Sequence, residues 1–238
     1  MKPGAILGLD TSTADAAVAV TIAGEPVSER RAGTGPGGRP RHAAVLLAEV
    51  ESAIAEAGGW ERIELLAVGI GPGTFTGLRV GIATARALAQ ARGLPLAPVG
   101  SLTALARGIG ERAPDRPRLA LTDARRGELF AALFDARGEE LWAPSVGAPE
   151  ELGDRLAGIS GTPVAAGDGS LRFRHQLESA GVEVLPDADP AHRLAARHVC
   201  ALAAAIGPGD PKDVKPAYLR RPDAEVWREQ RDRDSGPG

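Results

Sequence analysis

The sequence predicts an α/β protein of two related domains, each a mixed sheet with βββαβαβα element order. Three observations carry this. A strand ending in aspartate, a small polar loop and two further strands open the chain and return around Asp123. Short apolar runs alternate with stretches of helical periodicity, the pattern of a sheet with helices laid on it. A glycine-rich junction, Gly71-Pro72-Gly73, joins one apolar run directly to a long helix.

The elements follow in order. Residues 5–9 form an apolar strand ending in Asp10, with strands at 16–22 and 27–31 around a turn at Gly24. The glycine-rich stretch 33–38 leads into a helix over 41–57, where Val45, Leu46, Val50 and Ile54 recur at helical spacing. A strand at 65–70, a helix at 76–91, a strand at 94–99 and a helix capped by Ser101 complete the first half. In the second half, 118–122 ends in Asp123, and strands follow at 128–134 and up to Trp142. Helices are predicted at 149–156, 171–179 and 191–206, with strands at 164–166 and 182–185. The expected domains are 1–112 and 113–229, followed by a flexible charged and Gly/Pro-rich tail at 230–238.

Composition narrows the function classes. The 238 residues are 43% hydrophobic but only 3% aromatic, so the core must be built from Ala, Val, Leu and Ile. A net charge of −3 gives no global attraction for nucleic acid. Cys200, the single cysteine, excludes an internal disulfide and a cysteine-rich metal site, and it lies in an apolar helical run as a buried inert thiol. No apolar run reaches membrane length, and Asp10 interrupts the one near the start, which predicts a cytoplasmic protein.

The glycine junction is the most telling local feature. Gly71 and Gly73 permit a sharp turn, and Thr74 or Thr76 offers a hydroxyl to the amides that open the next helix. Gly77 and Gly81 then sit inside that helix with Ala85 one step further, although each interior glycine costs about 1 kcal/mol relative to alanine. A stripe without side chains points to close approach by another backbone, belonging either to a partner helix or to the protein's own sheet. A P-loop is excluded because Gly77 is followed by Leu78-Arg79 rather than Lys-Ser or Lys-Thr. Elsewhere, Asp10, Thr11 and Ser12 could bind phosphate or, with Thr13, merely tie off the strand. Gly167-Asp168-Gly169 reads equally as an adenosine loop or a turn.

Four segments together identify a family resemblance: Leu7-Gly8-Leu9-Asp10-Thr11-Ser12-Thr13, the run from Gly71 to Gly81, Asp123-Ala124-Arg125-Arg126-Gly127-Glu128, and Pro216-Ala217-Tyr218-Leu219-Arg220. They span nearly the whole chain and resemble the TsaB (YeaZ) family of bacterial tRNA threonylcarbamoyladenosine biosynthesis, within the actin, hexokinase and heat-shock ATPase (ASKHA) superfamily. The family's His-Ser pair and Leu-Leu-Pro run are replaced here by His42-Ala43-Ala44-Val45-Leu46-Leu47-Ala48. The histidine and the apolar positions survive, whereas the serine and proline do not.

The resemblance implies two ASKHA-type (actin/hexokinase-like) domains and a non-catalytic subunit that binds and organises a TsaD-type catalytic paralogue, with a TsaE-type ATPase as third component. It implies a homodimer when the paralogue is absent, tRNA engaged mainly through the complex, and ATP used by the complex with no cofactor held tightly by this chain. The paralogue's metal lies on a His-x-x-x-His helix; His42, His175, His192 and His198 are never four apart, so no metal site is expected, and each is read as a surface or capping histidine. The expected partner-binding set is His42, Val45, Leu46, Val50, Gly73, Thr74, Phe75, Thr76, Gly77, Arg79, Val80, Gly81 and Ala85, forming a four-helix interface. A degenerate nucleotide or cleft site would comprise Asp10, Thr11, Ser12, Asp123, Arg125, Arg126, Gly167 and Gly169. The alternatives are an autonomous ASKHA ATPase or kinase, and a peptidase, for which no Ser-His-Asp set can be assigned.

Overall fold

The computed structural model describes residues 4–220, so the tail expected at 230–238 lies outside the described residues. The first sheet contains β1 (Ala5–Asp10), β2 (Ala16–Ile22), β3 (Glu25–Ala32), β4 (Ile63–Gly69) and β5 (Leu96–Val99), in spatial order β3-β2-β1-β4-β5. The second contains β6 (Arg118–Arg125), β7 (Glu128–Phe134), β8 (Glu140–Gly147), β9 (Val164–Ala166) and β10 (Glu183–Val184), in order β8-β7-β6-β9-β10. The two orders are the same topology written twice: an antiparallel meander whose first strand pairs in parallel with the later strands. This is the two-domain ASKHA architecture.

The helices are α1 (His42–Glu56), α2 (Phe75–Arg92), α3 (Ser101–Arg112), α4 (Glu151–Leu156), α5 (Asp168–Arg172), α6 (Arg174–Ser179) and α7 (Ala196–Ile206). On α1, the buried residues Leu46, Val50, Ala53 and Ile54 form the stripe that its spacing predicts. Helix α2 ends at Gly93, whose φ of 65° lets its N–H reach back to the carbonyls of Ala89 and Gln90. The helix expected at 171–179 is broken at Phe173 into α5 and α6. The long helix expected from 191 begins only at Ala196, after a short 3-10 turn at Pro190–His192.

Both sheets are covered on both faces, which explains why their inner strands are largely apolar, whereas the edge strands β3 and β8 carry charged and exposed residues. Helices α1 and α2 cover one face of the first sheet. The opposite face is covered by α7, where Val199, Cys200 and Ala203 meet Ile6, Ala19 and Ala67. Helix α3 instead places Leu102, Leu105, Ala106 and Ile109 in one cluster with Ala120, Phe130 and Phe134 of the second sheet. The packing therefore crosses the division between residues 112 and 113, because each half of the chain lends a helix to the other's sheet. Cys200 is fully buried, and burial pushes its thiol up to about 12.

The chain after α7 returns across both domains. Gly209 accepts from Leu96 N, Val214 is buried in the core of the first domain, and Ala217 N donates to Ile70 O at 2.8 Å. Arg220 then reaches the second domain, donating to Ala124 O at 3.1 Å and pairing with Glu128. No helix of the described residues is long and apolar enough to cross a membrane.

Phe134 is the largest of the fully buried side chains and sits where α3 meets β7. Phe134→Ala should lower the unfolding free energy by about 3 to 5 kcal/mol in urea denaturation, the usual cost of emptying a buried aromatic site.

Candidate functional site

Two of the motif segments, 7–13 and 71–81, meet where β1 ends. Asp10 is 1% exposed, and its carboxylate is enclosed by three donors. Ser12 N and Ser12 Oγ donate to Oδ1 at 2.7 and 2.6 Å, and Ser101 Oγ donates to Oδ2 at 2.6 Å. Ser101 Oγ also accepts from Gly71 N at 3.1 Å. One carboxylate thus joins the ends of β1, the turn after β4 and the start of α3. Ser101 is no helix cap: Gly100 holds the cap position, and the Ser101 hydroxyl is committed to Asp10. A Cβ at Gly69 would overlap the Asp10 carboxylate, so this glycine makes the room in which the acid sits.

Thr11 settles where the glycine stripe faces. Its Oγ1 donates to Gly77 O at 2.7 Å, and it is 1% exposed. A Cβ at Gly77 would overlap Thr11 O, and one at Gly81 would overlap Thr11 Oγ1. Gly73 meets the Ser12 carbonyl in the same way, and Ala85 is fully buried. The stripe Gly77, Gly81 and Ala85 therefore packs on the protein's own first strand and not on a partner. The small residues are required because β1 and its loop lie directly on the helix backbone. His42, Leu46 and Val50 of the expected partner set are also buried in their own domain.

The outward residues of the same helices are different ones. On α1, Leu47 is 53% exposed, with Ala43 and Ala44 exposed and Val45 partly buried. On α2, Thr76 and Arg79 are exposed, while Thr74, Phe75 and Val80 are partly buried. Thr74 occupies the cap position of α2 but makes no side-chain capping bond, contrary to the role expected of it. Arg79 lies 3.8 Å from the centre of the Phe75 ring and donates to the Tyr218 hydroxyl at 3.2 Å, and Phe75 and Tyr218 rings are 5.1 Å apart. Leu47, Gly69, Ser101 and Tyr218 are additions to the sequence-derived set. Leu47 could have been found as the apolar residue standing off the helical stripe.

The candidate nucleotide residues do not form a phosphate cradle. Asp10, Thr11 and Ser12 are buried with their side chains committed as described. Gly167 and Gly169 back onto β6, where added Cβ atoms would run into Leu121 O and Thr122 C, so these glycines serve close packing within the second domain. Asp123 accepts from Arg172 Nη1 at 2.8 Å and Arg125 Nη1 at 3.3 Å, and its N–H donates to Asp168 at 2.9 Å. Arg125 and Arg126 take left-handed φ values of 66° and 55°. Arg126 and Gly127 make a two-residue hairpin turn in which both central residues have positive φ, tighter than the four-residue loop read from the sequence. Arg125 remains largely exposed. Among the histidines, His42, His192 and His198 are buried rather than superficial, and burial holds His198 down to about 4. No group of three metal-ligating side chains occurs among the described residues.

Comparison with known proteins places the fold in a family. Residues 28–177 match the family described as TsaD: tRNA N6-adenosine threonylcarbamoyltransferase. An uncharacterized protein of Mycobacterium bovis is 35% identical over 189 residues, 77% of each chain. The Escherichia coli tRNA threonylcarbamoyladenosine biosynthesis protein TsaB is 36% identical over 111 residues, 45% of this chain and 48% of that one. YeaZ from Pseudomonas aeruginosa superposes with a TM-score of 0.75 at 27% identity, covering 91% of this chain and 100% of that one. The chain belongs to the TsaB (YeaZ) family. The alignment spans about half the length of the TsaB relative.

Two measurements test this packing. Gly81→Leu should overpack α2 against Thr11 and lower the melting temperature, at a cost of about 1 to 3 kcal/mol; an unchanged melt would contradict the inward-facing stripe. Burial holds the Asp10 carboxyl above the usual carboxylate range, opposed by the bonds from Ser101 and Ser12. The folded state then binds the proton more tightly than the unfolded chain. Its contribution is full below the ordinary carboxylate pKa of about 4 and is lost as pH rises through the raised folded value. Wild type should therefore lose stability relative to Asp10→Asn over that interval, with a limiting slope of about 1.4 kcal/mol per pH unit in urea denaturation. Parallel pH profiles would show that Asp10 titrates normally.

Proposed function

We propose that this chain is a non-catalytic subunit of bacterial tRNA threonylcarbamoyladenosine biosynthesis that binds and organises a TsaD-type catalytic paralogue. The observation that carries the reading is the outer face of α1 and α2. Leu47 is more than half exposed beside Ala43, Ala44, Val45 and Val80, leaving an apolar face with small residues that admits close helix contact. Family membership supports the pathway, since the TsaB relatives are named for it. In this reading the paralogue supplies the transfer chemistry, a TsaE-type ATPase joins the assembly and uses ATP, and tRNA is engaged mainly through the complex. The same face pairs two copies of this chain when the paralogue is absent, because an isologous contact needs only one self-complementary patch. The closed Asp10 cluster supports a role without phosphate chemistry of its own.

The docking contacts come from the outward residues and not from the glycine stripe. Leu47→Asp should leave the thermal melt unchanged, because the side chain is exposed in the monomer, and should abolish co-elution with the cognate paralogue in size-exclusion chromatography. A variant that still pairs with wild-type affinity removes this face from the interface.

A further inference from the structure

Helix α2 carries arginines but no acid along its whole length, Phe75–Arg92. Its outer side turns Arg79, Ala83 and Arg86 to solvent, because the opposite side is committed to β1 through the glycine stripe. The chain after α7 runs alongside, and between the two lies a groove of about 480 Å³ lined by Arg79, Ile82, Ala83, Arg86, Pro216 and Tyr218. No carboxylate lines it. Among the described residues, neither Arg79 nor Arg86 pairs with an acid, whereas Arg30, Arg112, Arg116, Arg174, Arg193 and Arg197 are each matched with one or two.

Arg79 is held in place as well as unpaired. It stacks 3.8 Å from the centre of the Phe75 ring and donates to the hydroxyl of Tyr218 at the edge of the groove. A guanidinium already fixed in position loses less freedom on taking a further bond. Ala83 follows Val80 by one turn, so the groove continues the apolar face of Leu47, Ala43, Ala44 and Val80 across α2. The charge on this face decides between its possible occupants. On α1, Glu49 and Glu56 are bound to Arg30, which leaves Glu51 as the one acid of the two helices without an ion pair among the described residues. A second copy would therefore bring Arg79, Arg86 and Arg92 against that one acid, and like charges would oppose self-pairing. A partner bearing carboxylates gains charge-assisted contacts at the same positions.

We propose that the groove between α2 and residues 216–218 takes a carboxylate-bearing segment of the docked protein on Arg79 and Arg86, so that the face selects an acidic partner over a second copy of this chain. The inference rests on the docking reading above and adds the partner chemistry that the face selects. Pairing of two copies is then the weaker contact, formed only where the acidic partner is missing.

Analytical ultracentrifugation of the chain alone and with its cognate paralogue, at about 0.1 M and about 1 M salt, tests the preference, since the screening length falls from about 10 to about 3 Å over that range. The paralogue complex should weaken with salt while self-association tightens. Arg79 and Arg86 are exposed, so the Arg79→Ala/Arg86→Ala double variant should keep the wild-type melt. It should bind the paralogue about tenfold more weakly, the scale of losing two rim charges, and associate with itself more tightly. Paralogue affinity that neither salt nor the double variant changes overturns the proposal, as does self-association that is the tighter of the two at low salt. A double variant that loses tRNA binding but keeps wild-type affinity for the paralogue assigns the groove to nucleic acid and overturns it too. Leu47→Asp, measured in parallel, separates the two readings. If it abolishes pairing while the double variant changes nothing, the docking face stands and the acidic preference falls. If it pairs normally while the double variant weakens the complex, the groove stands and the α1 face falls.

Discussion

The end of β1 lies directly on the backbone of α2, and the rest of the first domain is arranged around that contact. Thr11 donates to the carbonyl of Gly77 from a position where any Cβ on Gly77 or Gly81 would collide with it. The helix therefore has to carry glycines in its interior, although each costs about 1 kcal/mol in helix propensity. That cost is offset by close packing and by a buried hydrogen bond between strand and helix. One residue earlier, Asp10 gathers Ser12 and Ser101, and through Ser101 the amide of Gly71, so the same strand end also fixes the glycine turn and the start of α3. A buried carboxylate that takes three short, geometrically determined bonds is a rigid junction.

That junction joins the two domains as well. Helix α3 begins at Ser101 and immediately leaves the first sheet to cover the second, while α7 returns from the second half to cover the first. The segment ending at Arg220 crosses back again, from Ile70 past Phe75 and Arg79 to the hairpin at Ala124 and Glu128. Three covalent crossings bind two sheets of the same topology. The relative placement of the duplicated halves is therefore set by packing of exchanged helices rather than by a simple linker.

Inward use of the stripe changes what is available outside. Once Gly77, Gly81, Ala85, Leu46 and Val50 are spent on the core, the surface of α1 and α2 consists of Leu47, alanines, Val80 and the polar residues at the helix starts. That outward surface is largely apolar.

The sequence by itself determined the element order, the repeat and the family, because strand alternation, helical spacing and the runs around Asp10, Gly71 and Asp123 are local patterns read along the chain. It located most elements to within a few residues; the strand read as ending at Trp142 runs on to Gly147, and the break at Phe173 and the late start of α7 are places where apolar periodicity continues through a change of direction. Only the tertiary structure decided which neighbour each residue meets. Glycines at helical spacing announce that something approaches closely, but a backbone from a partner and a backbone from the protein's own strand demand the same missing Cβ. Likewise Gly167 and Gly169 look the same whether they make room for a ligand or for Leu121 and Thr122, and Ser101 looks like a cap until Asp10, ninety-one residues away in sequence, takes its hydroxyl. Spacing encodes a residue's face on its own element, whereas the identity of what lies against that face depends on long-range packing that no local pattern contains.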